Sequence, residues 1–228
     1  MIFCDEIAAA LARHGLLLRG GFHPEAQEMA LAGGESVSTV LLAGNAGPEM
    51  WEHFSARRPA GADPMDGWSV EVLGAIARRF GGEAVMPSDG PPYRPFQQWA
   101  MRAEPVFPSP IGILIHPVYG LWHGYRGALL FGQVLDLPAR ADAANPCESC
   151  VGRPCLKTCP VGAFPGSGYD VQACRGHLRS GAGEPCLEGS CLARRACPVG
   201  QDYLYGPAQL RFHMAAFNGG TPGRATDA

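Results

Sequence analysis

Eight of the nine cysteines fall between Cys147 and Cys197, in the order CESCVGRPCLKTCPVGAF, YDVQACRGHL and EPCLEGSCLARRACPVG. Both halves of this stretch close on Cys-Pro-Val-Gly, at Cys159-Pro160 and again at Cys197-Pro198. Cysteine thiolates hold iron and inorganic sulfide as cubane clusters, and in two-cluster ferredoxin domains the cysteine before proline ligates the cluster of the other run. The first run, Cys147-x2-Cys150-x4-Cys155-x3-Cys159-Pro160, carries one two-residue insertion relative to C-x2-C-x2-C-x3-C-P. The second is looser, with Cys174 standing apart before Cys186, Cys191 and Cys197. The cross-over rule assigns Cys147, Cys150, Cys155 and Cys197 to one [4Fe-4S] cluster and Cys159, Cys174, Cys186 and Cys191 to a second. Cys4 is read as a buried or frayed thiol outside both.

Other chemistry can use the same residues. Disulfides suit small secreted domains, and nothing here reads as secreted. Two Cys4 zinc sites are the serious rival, because tetrahedral thiolate sets accept zinc as well as iron and sulfur. Structural zinc usually shows two tight C-x2-C knuckles, whereas Cys147/Cys150 is the sole such pair in this sequence.

A chain of 228 residues with 46% hydrophobic and 17% charged side chains has the length and composition of one large or two small globular domains. A formal charge of −3 gives no basic footprint for nucleic acid, so no nucleic-acid partner is expected. The opening MIFCDEIAAALARHG has neither the basic region nor the continuous apolar run of a signal peptide, and no stretch approaches the roughly 18 apolar residues of a membrane span. The expectation is a cytoplasmic protein with no membrane partner, in a compartment where thiols stay reduced for metal.

The elements that would position these groups follow from periodicity. Residues 5–14 read as a helix with Ile7, Leu11 and His14 on one face, and Gly20-Gly21 closes the LLLR segment after it. Val37 to Ala43 reads as a buried strand. Asp63-Pro64 opens a helix on which Trp68, Val72, Ile76 and Phe80 recur at i+4, ended by Gly81-Gly82. A short strand at 83–86 follows, then a helix over 95–101 with Phe96, Trp99 and Ala100 inward. Ile111 to Ile115 reads as the clearest strand of this half and Tyr125 to Phe131 as another, with glycines at 112, 120, 124, 127 and 132 dense enough to suggest a ligand surface. The segment 136–146 is the expected boundary, giving an α/β or α+β sheet domain over 1–138 and a cysteine domain over 139–228. The latter ends in a helix from Gly206-Pro207, with Leu210, Met214 and Phe217 on one face, and a frayed TPGRATDA tail.

The stretch IGILIHPVYGLWHGYRGALLF resembles the signature of cobalamin-processing proteins of the type defective in human methylmalonic aciduria with homocystinuria, type C. It does so through Ile115, His116, Pro117, Tyr119, Gly120, Trp122, Arg126 and Gly127, within a likeness spanning about residues 37 to 135. The resemblance implies a flavin-reductase or nitroreductase-like α+β fold that binds cobalamin base-off. The cysteine half is similar to epoxyqueuosine reductase and the reductive dehalogenases, through Cys159-Pro160-Val161-Gly162-Ala163 and Asp170-Val171-Gln172-Ala173-Cys174-Arg175-Gly176-His177-Leu178. That group passes electrons from two [4Fe-4S] clusters to a corrinoid. No counterpart of the reductase's catalytic aspartate is assigned, no helical-repeat tRNA-binding extension is expected, and epoxyqueuosine reduction on tRNA is disfavoured.

The implied α+β fold is therefore a flavin-reductase/nitroreductase-like sheet domain followed by a ferredoxin-like two-cluster domain. In its N-terminal pocket Tyr119, Trp122 and Tyr125 would stack on a macrocycle or flavin, and Arg126 would bind a carboxamide, carboxylate or phosphate. His116 and His123 would donate protons or ligate metal, or equally fill a hydrogen-bonded structural role. Each of these aromatics can equally be core, and Arg126 can equally pair with an internal acid. Arg153, Arg175, Arg179, Arg194 and Arg195, set among the ligands, suit an acidic electron donor such as a ferredoxin, flavodoxin or reductase, or simply meet solvent. Three functions follow: a corrinoid-reducing (less readily a flavin-reducing) iron-sulfur oxidoreductase, a ferredoxin-like carrier, and a corrinoid-trafficking protein with structural clusters.

Overall fold

The computed structural model of the chain describes residues 4–25, 27–166 and 168–219, which leaves the TPGRATDA tail outside the described residues. In chain order the elements are α1 (Cys4–Ala12), β1 (Leu17–Phe22), β2 (Thr39–Ala46), α2 (Glu49–Ala56), α3 (Pro64–Arg79), β3 (Glu83–Val85), α4 (Phe96–Ala103), β4 (Phe107–Pro108), β5 (Leu114–Ile115) and β6 (His123–Phe131). Short helices then carry the cysteine region: α5 (Pro154–Lys157), α6 (Val171–Leu178), α7 (Glu184–Gly189), α8 (Leu192–Arg195) and α9 (Pro207–Phe217). Among the described residues no helix is long and apolar enough to cross a membrane.

The chain forms two compact units. The first runs from the amino-terminal end to Pro105 and resumes over His123–Ala143; the second comprises Val106–Trp122 and the chain from Ala144 onward. Where the sequence suggested one boundary after residue 138, the backbone thus changes unit at 105/106, 122/123 and 143/144.

The first unit is an antiparallel sheet of order β1-β2-β6-β3. β2 is buried at every position, as its run of β-branched and aliphatic residues requires of a strand covered on both faces. α4 packs on β1 and β2, α3 on β6 and β3, and α1 on β1 and α3. α3 forms as its i+4 pattern dictates, burying Trp68, Val72 and Ile76. Gly81, at φ +72°, ends it, with the Gly82 N–H donating to Ala77 O at 2.8 Å. Two expectations shift: β1 continues through Gly20-Gly21, and the helix α2, with Met50 and Phe54 buried, was not foreseen.

The second unit has little regular structure. The expected strand at 111–115 reduces to Leu114–Ile115, paired with Phe107–Pro108, because Gly112 turns the chain at φ +83°. Its apolar centre is Ile111, Ile115, Leu121, Ala193 and Cys197, against which Cys147, Cys155, Cys159 and Cys191 also pack. The cysteines thus occupy the place of a core.

Candidate functional site

Each cysteine is placed by a local device. Cys147 donates its N–H to Asn145 Oδ1 at 3.0 Å. Cys155 lies on α5, whose preceding residue Arg153 holds φ +41°, and Cys191 follows Ser190 at φ +71°. Such conformations cost non-glycine residues about 1–3 kcal/mol and persist only where surrounding contacts fix them. Cys159 Sγ accepts the Ala163 N–H at 3.3 Å. Cys174 rides on α6, capped by Asp170 Oδ1 accepting the Ala173 N–H at 2.8 Å, and Cys186 on α7.

Two cavities divide the eight. Cys147, Cys150, Cys155 and Cys197 line the first, which encloses about 390 Å³ of empty space, open solvent included. Cys159, Cys174, Cys186 and Cys191 line the second, of about 920 Å³ on the same measure. Electrostatics follows the same partition. Burial pushes the Cys147 thiol above its ordinary value, with Cys197, Cys155 and Cys150 adding to the rise. Burial likewise raises Cys197, with Cys155 and Cys150 contributing. In the other set burial raises Cys186, beside Cys174 and Cys159, and Cys191, beside Cys174 and Cys186. Four crowded thiols resist joint ionisation, and a cationic core among them would reverse that.

A cluster fits these residues. Each cavity supplies four sulfurs and a buried polar atom with no protein partner: Ser109 Oγ in the first, His177 Nε2 in the second. Cluster sulfurs accept hydrogen bonds from such groups. Among the described residues no three His, Cys, Asp or Glu side chains converge closely enough for a single metal ion, as tetrahedral zinc with Zn–S near about 2.3 Å requires.

The six residues expected in one N-terminal pocket are divided between the units. His116, Tyr119 and Trp122 belong to the second. His116 Nδ1 accepts the N–H groups of Val118 (3.0 Å) and Tyr119 (3.2 Å), and its ring stacks on Tyr119 at 4.3 Å. That turn packs against the cysteine region, since a Cβ at Gly120 would stand 1.9 Å from Val199 O. Trp122 is fully buried, edge-on to Tyr205 at 5.5 Å, with the Arg194 guanidinium 4.4 Å from its ring centre. Arg194 also donates from Nε and Nη2 to Leu121 O, so this arginine serves the interior.

His123, Tyr125 and Arg126 lie at the start of β6 in the first unit, half-buried. Arg126 falls at a register shift, between Tyr125 opposite Gly44 and Gly127 opposite Ala43, where a bulge re-aims a side chain. Tyr125 donates to Glu104 Oε1, and burial raises its hydroxyl far above the ordinary tyrosine value. Glu104 also holds Arg19, with Nη2 to Oε1 at 2.6 Å and Nε to Oε2 at 3.1 Å. Arg19 Nη1 donates to Asn45 O at 3.1 Å and Nη2 to His123 Nδ1 at 3.3 Å. Arginine only donates, so His123 carries its proton on Nε2. Sequence reasoning missed Arg19 and Glu104, which lie 85 residues apart with no local signal. The glycine-dense stretch serves close packing as well: Gly124 O would lie 2.2 Å from a Cβ at Gly44, and Gly127 faces Leu73 and Val85.

No family model matches the sequence, and no curated protein does. The fold is similar to solved structures. Epoxyqueuosine reductase from Streptococcus thermophilus superposes with TM-score 0.52 at 15% identity, over 90% of this chain and 68% of that one. An epoxyqueuosine reductase with an epoxyqueuosine-modified tRNA stem loop gives 0.55 at 15% identity, over 96% and 68%. The B12-trafficking protein CblC of C. elegans gives 0.51 at 14% identity, over 92% and 91%. The chain therefore has a mixed α+β fold with an antiparallel sheet, of the kind seen in both.

Proposed function

We propose that this chain is an iron-sulfur electron-transfer protein carrying two [4Fe-4S] clusters, which reduces a corrinoid bound by its first unit. The observation that carries the cluster half is the partition of eight cysteines into two cavities of four, each taking one cysteine-proline from the other run. Each bound cluster would take up and release a single electron. The chain's own part is to hold four sulfurs around each cavity and wall it with apolar side chains. Ile111 lines both cavities and so stands between them.

The acceptor is read from likeness. The structural neighbours include epoxyqueuosine reductases and a B12-trafficking protein, which favours a corrinoid over a flavin. Among the expected contacts, His123, Tyr125 and Arg126 are half-buried in the first unit and suit a ligand. Trp122, buried against Arg194 and Tyr205, leaves no face for stacking on a ligand. The finer fold reading, a nitroreductase-like sheet domain with a ferredoxin-type cysteine domain, belongs to the same proposal, as do an electron donor such as a ferredoxin or flavodoxin, a cytoplasmic location and the lack of a nucleic-acid or membrane partner.

The test is anaerobic purification with iron and sulfide assay, followed by cobalamin titration of the dithionite-reduced protein. Cys197→Ser and Cys159→Ser should each remove about half the iron, Cys197→Ser emptying the site of Cys147, Cys150 and Cys155. Zinc in place of iron and sulfide defeats the reading. Clusters without a spectral response to cobalamin leave a ferredoxin-like carrier.

A further inference from the structure

Each of the two cavities has its own four sulfurs, and the rest of their walls are differently furnished. Four prolines, Pro110, Pro146, Pro154 and Pro198, line the first, against Pro160 alone in the second. Proline has no backbone N–H, so each removes a donor from the wall it occupies. The first cavity keeps one orphan hydroxyl, Ser109 Oγ, and is the smaller. The second is lined by His177, whose Nε2 is shielded from solvent and has no protein partner, and by Tyr169, which lines it together with Cys174. Tyr169 is held in a stack between Phe164 (4.9 Å) and Phe217 (6.1 Å). Each cavity also has one arginine in its lining, Arg153 in the first and Arg194 in the second, the latter engaged with Leu121 O.

Donors to cluster sulfur, and access of solvent, stabilise the more negative reduced state and raise the potential. We propose that the two clusters sit at unequal potentials, the second above the first, with His177 Nε2–H and the Tyr169 hydroxyl as the groups that set the difference. This rests on the iron-sulfur reading above. His177 and Tyr169 are tuning residues in it: neither replaces a cysteine ligand. An electron entering the pair settles in the second cavity, whichever cluster it reaches first.

The experiment is a potentiometric titration of the anaerobic full-length protein with dithionite as reductant, followed by electron paramagnetic resonance, after iron and sulfide are assayed. Two resolved one-electron steps are expected, and Cys191→Ala should abolish the upper one. His177→Phe should lower the upper step and leave the lower in place, while His177→Gln, which keeps an N–H donor, should recover most of the shift. Ser109→Ala should move the lower step alone. Where His177→Phe loses iron, Tyr169→Phe carries the same test through a smaller downward shift of the upper step. Full iron with a single unresolved step, or an upper step that ignores both His177→Phe and Tyr169→Phe, overturns the inference while the cluster reading stands. A parent protein without iron and sulfide overturns both.

Discussion

Glu104→Ala removes the carboxylate that takes two of Arg19's donors and the Tyr125 hydroxyl, in a pair whose side chains are 1% and 11% exposed. Breaking a buried pair on one side costs about 3–5 kcal/mol, because the surviving charge is left in a poorly solvating interior. For a chain of this length each kcal/mol moves Tm by roughly 2–4 °C, so the melt should fall by about 6–20 °C. Three of the four tryptophans, Trp51, Trp68 and Trp99, lie in the first unit, so fluorescence-detected melting reports on it. The triple variant Arg19→Met, Glu104→Leu, Tyr125→Phe removes the charges and the stranded hydroxyl together and should recover most of the loss. The reasoning is refuted if Glu104→Ala costs less than about 1 kcal/mol, or if the triple variant is no better than the single.

Gly120→Ala and Gly112→Ala separate steric clash from backbone strain. Gly120, at φ +57°, would place a Cβ 1.9 Å from Val199 O, whereas Gly112, at φ +83°, has nothing within 4 Å. Gly112→Ala should cost about 1 kcal/mol and Gly120→Ala more than about 2, read as thermal stability and iron retention of the second unit; equal costs would sink the clash argument. Burial lowers the pKa of His14, with the charges of Arg57, His53 and Arg13 adding to it. A depressed histidine contributes stability above its unfolded value of about 6.5 that is lost as pH falls through the folded one. Urea unfolding of the first unit should therefore weaken from about pH 7.5 to pH 5.5, and His14→Phe should flatten that slope.

What the sequence made legible was a grouping of side chains written in spacing. The cross-over rule divides the cysteines as the cavities do, though Cys155 and Cys186 stand at stretched intervals. α3 and β2 were readable because Trp68, Val72 and Ile76 keep a helical period, and 40–43 is apolar without a break. Other features carry no local mark. Arg19 and Glu104 are ordinary charges until tertiary structure joins them, and Ile111–Ile115 has a strand's composition but a glycine whose φ forbids it. The His116 to Trp122 stretch was assigned by resemblance to the sheet domain, yet Gly120's contact with Val199 puts it under the cysteines.

The exchange of one cysteine between the two runs bears on biogenesis. As the polypeptide leaves the ribosome, the set lined by Cys159 is complete at Cys191, while the set begun at Cys147 waits for Cys197. The cavity whose first cysteine is made earliest is thus the last to gain its fourth. On the iron-sulfur reading, nascent chains ending between these two positions would carry all four cysteines of one cavity beside three of the other, with His213, Met214 and Phe217 of the second cavity's wall still to come, and loading need not follow the order of synthesis.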